Sequence, residues 1–136
     1  MSTVAAKNAF VDILGALSGV RKATDNPPDS LNIFPFAVAW VDEYQYEKKR
    51  LGNLFSNGTF VLVGQIHVAR KELARAIATL EVYPDLVRTA LVADPTLNGT
   101  VNNILEYKPS RPTPGVWDSQ DTLYIEFRVT VDIKYC

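Results

Sequence analysis

Residues 121–136, DTLYIEFRVTVDIKYC, decide the fold class. Leu123, Ile125, Phe127, Val129, Val131 and Ile133 fall on every second position, with Tyr124, Glu126, Arg128, Thr130, Asp132 and Lys134 between them. A period of two is the pattern of a β-strand with one face on a core and the other toward water. Burying each apolar member is worth about 1.5–3 kcal/mol. A slip of one residue would turn the whole set to solvent, so the register is strongly specified. The strand belongs to a sheet that needs a partner layer.

Working back toward the N-terminus, Val101 to Tyr107 predicts a strand. A proline-rich loop carrying Lys108, Arg111 and Trp117 follows it. Before it, RKELARAIATLEVYPDLVRTALVAD (70–94) is helical: Leu73, Ala76, Ile77 and Leu80 make one stripe, and Leu86, Ala90 and Leu91 resume it. Pro84 lacks an amide donor, so a break or kink is expected there. Asp94 is expected as a cap, Pro95 as a first helical residue and Asn98-Gly99 as a turn tolerating positive φ.

Two further strands are predicted upstream, about Ile33 to Tyr44 and about Thr59 to Val68, both rich in β-branched and aromatic residues. Pro35 belongs at the start or edge of the first. In the second, Phe60, Leu62, Gly64, Ile66 and Val68 share a face, with Val61, Val63, Gln65 and His67 on the other. Its first half is apolar on both sides, which suits a central or doubly covered strand. The segment between the two, QYEKKRLGNLFSNG (45–58), is longer than a minimal hairpin needs.

The N-terminal stretch, residues 3–24, reads as an amphipathic helix through Phe10, Ile13 or Leu14, Leu17 and Val20. Ser2 or Thr3 offers a capping oxygen, and Arg21 and Lys22 complement the helix's C-terminal end. Gly15 and Gly19 permit close approach to a sheet. DNPPDS (25–30) ends the helix. The expected order is α-β-β-α-kink-α-β-β. That order predicts one α+β domain over residues 1–136, with a mostly antiparallel four-stranded sheet, helices on one face and a long β-hairpin loop.

The chain has 136 residues, enough to bury roughly two thirds of its unfolded surface. With 47% apolar and 21% charged residues it is expected to fold. A formal net charge of −1 lacks the basic excess of a free-standing nucleic-acid binder. The single cysteine, Cys136, cannot form an internal disulfide and is expected to be exposed. There is no basic-then-apolar leader pattern and no apolar run near the roughly twenty residues of a membrane helix. The expected site of synthesis is a cytoplasm.

No motif supplies a reaction. The only histidine, His67, stands mid-strand without a nucleophile beside it. One histidine and one cysteine make no metal cluster, and the glycines fit no phosphate-binding loop. The carboxylate pairs Asp42-Glu43 and Asp118/Asp121 read as solvated. No catalytic residue, cofactor or metal is assigned, and no enzyme is expected. Large side chains do sit where a monomer would place polar ones. Tyr46, Lys48, Lys49, Arg50, Leu51, Leu54 and Phe55 lie in the hairpin segment, and Lys108, Arg111 and Trp117 in the proline-rich loop. Tyr124 and Arg128 lie on the outer face of the last strand. These are candidates for contact with other subunits. Tyr44, Tyr46 and Phe55 beside the basic run could also stack bases.

An N-terminal amphipathic helix precedes LNIFPFAVAW (31–40) and its long hairpin. A helical segment then runs into VRTALVADPTLNGTVNNIL (87–105), and the alternating strand LYIEFRVTVDIKY (123–135) follows. Together these resemble the tail terminator, or tail completion, proteins of long-tailed bacteriophages, most specifically across Leu91 to Val101. The resemblance implies an α/β subunit of a hexameric ring in the virion, assembled in the host cytoplasm. Such a ring caps the tail tube, ends tube polymerisation and joins the tail to the head or neck connector. It would give the Tyr46–Phe55 loop a tube- or lumen-facing contact, including passive contact with channel DNA. The Lys108–Trp117 loop would receive a subunit or connector contact. The competing expectations are another head–tail connector, a tail-tube subunit, or a small ligand-binding α+β domain.

Overall fold

The computed structural model describes residues 2–25, 33–48, 54–117 and 120–134. In chain order the elements are α1 (Thr3–Gly15), β1 (Lys22–Thr24), β2 (Phe36–Lys48), β3 (Leu54–Ala69), α2 (Leu73–Glu81), α3 (Tyr83–Ala93), β4 (Asn103–Pro109), β5 (Thr113–Trp117) and β6 (Gln120–Lys134). The chain is α+β. The sheet is mixed and has six strands, in the order β1-β2-β3-β6-β4, with β5 also paired to β6. The expectation of four strands, mostly antiparallel, is corrected by β1, which runs parallel to β2, and by β5.

The alternation in 121–136 sets the core. Leu123, Ile125, Phe127, Val129, Val131 and Ile133 are all buried, together with Phe60, Leu62, Ile66 and Val68 of β3 and Ala37 and Ala39 of β2. All three helices bury their apolar faces in this same cluster: Ala6, Ala9, Phe10 and Leu14 from α1, Ala76 and Leu80 from α2, and Tyr83, Val87 and Leu91 from α3. The helices therefore occupy one side of the sheet. Gly64 allows α1 to lie directly on β3. A Cβ there would sit 2.8 Å from Leu14 Cδ1 and 2.9 Å from Phe10 Cε2, closer than packed carbons come.

Ser2 caps α1, its hydroxyl accepting from the Ala5 amide at 3.0 Å. The helix stops at Gly15, earlier than its apolar periodicity suggests. Gly19 adopts φ +89°, which a residue with a side chain rarely does. The chain turns there and lays Lys22–Thr24 beside β2, so Arg21 and Lys22 belong to a strand approach and not to a helix end. The helical break falls at Val82, with Pro84 in the first turn of α3. No helix follows Asp94. Its carboxylate instead accepts from the Asn98 amide at 2.9 and 3.0 Å and closes a turn through Leu97, Asn98 and Gly99, all at positive φ. Leu97 is fully buried and anchors that turn.

Two bulges re-aim the strands. One at Asp42 shifts the β2–β3 register between Val41 and Glu43, and one at Leu105 shifts β4–β6 between Ile104 and Glu106. Each returns the next apolar residue, Tyr44 and Tyr107, to the helix side.

Candidate interaction surface

Two regions expected as loops are largely strand. The β2–β3 ladder continues through Gln45↔Thr59, Tyr46↔Gly58, Glu47↔Asn57 and Lys48↔Leu54, so only residues 49–53 remain between them. Phe60 is buried on β3 at this end, and its ring covers Gly58, where a Cβ would lie 2.6 Å from Cζ. Tyr44 meets Phe60 edge to face at 5.5 Å between centroids, yet is 56% exposed. The paired strands therefore leave the core at the Tyr44–Phe60 pair. Lys49 and Arg50 lie outside the described residues, as do the side chains of Tyr46, Lys48, Leu54, Phe55 and Trp117. Cys136 and Asp118 lie outside them too.

The proline-rich loop shrinks to residues 110–112. Lys108 is in β4, with its ammonium 3.6 Å from Glu106 in an exposed pair. Thr113–Trp117 forms β5 against Gln120–Tyr124. The Ser110 amide donates to the Glu126 carbonyl at 2.7 Å, and the Glu126 amide donates to Ser110 Oγ at 3.0 Å, fastening the corner. The exposed Arg111 accepts on its carbonyl from Ser110 Oγ and Thr113 Oγ1. The rim formed by β4 and β5 presents Leu105 and Val116, 56% and 71% exposed.

The sheet face away from the helices is not uniformly polar. Phe36 and Val38 are buried on it, with Phe34 and Trp40 packed beside them, and Val63 is buried as well. β3 is thus covered on both sides along this stretch, as its doubly apolar sequence implies. His67 is buried at 3% exposure. Its Nε2 lies 2.9 Å from Gln65 Oε1, and its Nδ1 lies 3.1 Å from Thr122 Oγ1. Gln65 Nε2 in turn donates to Glu126 Oε1 at 3.0 Å. An amide oxygen only accepts, so the ring proton sits on Nε2 and Nδ1 accepts from the threonine hydroxyl. Burial lowers the imidazole pKa to about 4, keeping it neutral.

Tyr124 and Arg128, expected to reach outward, are both engaged within the chain. The Tyr124 ring lies 5.0 Å from that of His67 and covers Gly115, where a Cβ would meet ring carbons at 2.9 Å. Arg128 reaches Asp42 Oδ2 at 2.8 Å and Glu43 Oε1 at 3.8 Å, and its hydrogen bond to Asp42 raises the guanidinium pKa.

His67 has a fully buried threonine on one side and an amide on the other. Among the described residues, no three or more His, Cys, Asp or Glu gather closely enough to hold a metal ion. An open groove of about 280 Å³ between α3 and β4 is lined by Leu91, Val92, Pro95, Ile104 and Tyr107, with Arg88 at its rim. It has no convergent titratable set. Among the described residues no helix is long and apolar enough to cross a membrane. The chain matches no model of a known protein family, and a search of curated proteins finds no similar sequence.

Proposed function

We propose that this chain is a structural subunit of a bacteriophage virion, one that assembles with copies of itself into a hexameric ring at the end of the tail tube. The ring stops tube growth and joins the tail to the head or neck connector. The observation that supports this reading is the β2–β3 arm. It is hydrogen-bonded well past Phe60 and carries the aromatic Tyr44 into solvent at its root. A paired arm that runs on beyond the buried Phe60 extends away from the core cluster. It offers a neighbouring subunit both backbone and side-chain contacts. The basic residues Lys48, Lys49 and Arg50 at its end suit a tube or lumen contact, with passive contact to channel DNA. The Leu105–Val116 rim suits a lateral or connector contact.

Light scattering on purified protein is expected to report a closed oligomer, and electron microscopy to show tail tubes capped at one end. Replacing residues 46–58 by a two-residue Asn-Gly turn, which keeps Gln45 paired with Thr59, should abolish capping while leaving the circular dichroism of the α+β core unchanged. A strictly monomeric protein that never joins tubes would overturn the proposal. Open stacks of the protein alone would favour a tube subunit instead.

A further inference from the structure

The hydrogen-bond chain on the helix-free face points in one direction. The Thr122 hydroxyl donates to His67 Nδ1, Nε2–H donates to Gln65 Oε1, and Gln65 Nε2 donates to Glu126. Thr122 is completely buried, and its Oγ1 lies beneath β5. A Cβ on Gly115 would come within 3.3 Å of it. Gly115 is the ladder partner of Thr122, and among the described residues β5 pairs with no strand but β6.

We propose that protonation of His67 releases β5 from β6, making the Thr122–His67 contact an acid-sensitive latch on this rim of the sheet. A proton added at Nδ1 points at Thr122 Oγ1 and displaces the hydroxyl hydrogen that held that position. That hydrogen then needs another acceptor in a site closed by Gly115 and the Tyr124 ring. A buried donor without a partner is costly, and so is an imidazolium away from water. Parting β5 from β6 at the Gly115–Thr122 pair admits water to both groups.

Among the described residues, the charged and titratable groups facing this site are few. On β6 they are the Glu126 carboxylate, one amide removed from the ring, and the Tyr124 phenol, whose ring is tilted 31° against the imidazole. β2 presents the uncharged Phe36 and Val38. Lys22 of β1 lies one strand further across, opposite Phe36. β5 contributes the neutral Thr113 and Gly115. Glu126 and the Tyr124 ring favour the cation, whereas Lys22 and burial oppose it; burial is the dominant influence on the ring.

Because His67 is the sole histidine, its imidazole NMR signals are unambiguous. The test follows them from pH 7 to pH 3.5, together with hydrogen exchange of residues 113–117 corrected for intrinsic rates. Protection of β5 should fall about tenfold or more, with a midpoint matching the His67 titration. In His67→Gln, which has no titration at this position, that drop should disappear. A β5 midpoint more than one pH unit from that of His67, unchanged protection across its titration, or the same drop in His67→Gln would overturn the latch. The wild-type midpoints decide the matter even where a variant does not fold.

Discussion

Arg128 of β6 extends across β3 to place Nη2 2.8 Å from Asp42 Oδ2 of β2, passing over the position of Val63, the ladder partner of both Trp40 and Arg128. The bulge puts Asp42 within that reach. Both side chains are 37% exposed, so water screens the pair. A double-mutant cycle with Arg128→Ala and Asp42→Ala should give a coupling of about 0.5–1 kcal/mol at low salt. The coupling should shrink as sodium chloride is raised toward 1 M. A coupling indistinguishable from zero at low salt would mean that the contact does not hold in solution.

Burial of His67 makes stability depend on pH. Its folded value, about 4, lies below the unfolded 6.5, so the unfolded chain binds the proton more readily between them. The associated stability is complete above pH 6.5 and is lost as the pH falls through 4. The loss amounts to about 3 kcal/mol below pH 4. Urea denaturation at pH 7 and pH 4.5 should show the wild type losing more stability than His67→Gln over that interval.

Gly64 and Leu14 touch where α1 crosses β3. Leu14→Ala should cost about 2–5 kcal/mol through lost burial and a cavity. Gly64→Val should cost about 1–3 kcal/mol or more by overpacking. In the double variant Leu14→Ala/Gly64→Ala the new methyl occupies part of the space vacated by the leucine. The combined loss, read by chemical denaturation, should then be smaller than the sum of the single losses.

Tyr107 ties β4 to the start of α3, donating its hydroxyl to the Pro84 carbonyl at 2.8 Å. Burial and the nearby Asp85 charge raise its phenol pKa, so the donor proton stays in place through alkaline conditions. Tyr107→Phe should keep the stacking on Phe127, at 6.2 Å between centroids, and lose about 0.5–1.5 kcal/mol. Thermal unfolding reads the change directly.

β6 was readable because its burial alternates strictly, and the break near Pro84 was readable because proline lacks a donor. β1 was not. Lys22, Ala23 and Thr24 continue a helical stripe in sequence, and only pairing with the distant β2 makes them a strand. β5 was hidden by its composition, since Pro114 and Gly115 disfavour strands in general. Both are tolerated at a rim where one side of the strand is open and the Tyr124 ring lies over the glycine. The arm was read as a loop because Asn57, Gly58 and the charges around Lys48 resemble turn chemistry. Its ladder is fixed by long-range register. For the same reason Tyr124 and Arg128 looked available from alternation alone, which marks the side a residue faces and not the partner it finds there.

Pro109 and Pro114 leave blanks along the β4–β5 border. The Ser110 amide points inward to Glu126, so by strand alternation the nitrogen of Pro109 faces away from β6, and neither proline has a hydrogen to lend. A stray strand settling there would find gaps in its bonding, with Leu105 swollen out of line beside them. Crowded copies can thus be brought side by side without zipping into endless cross-β fibrils.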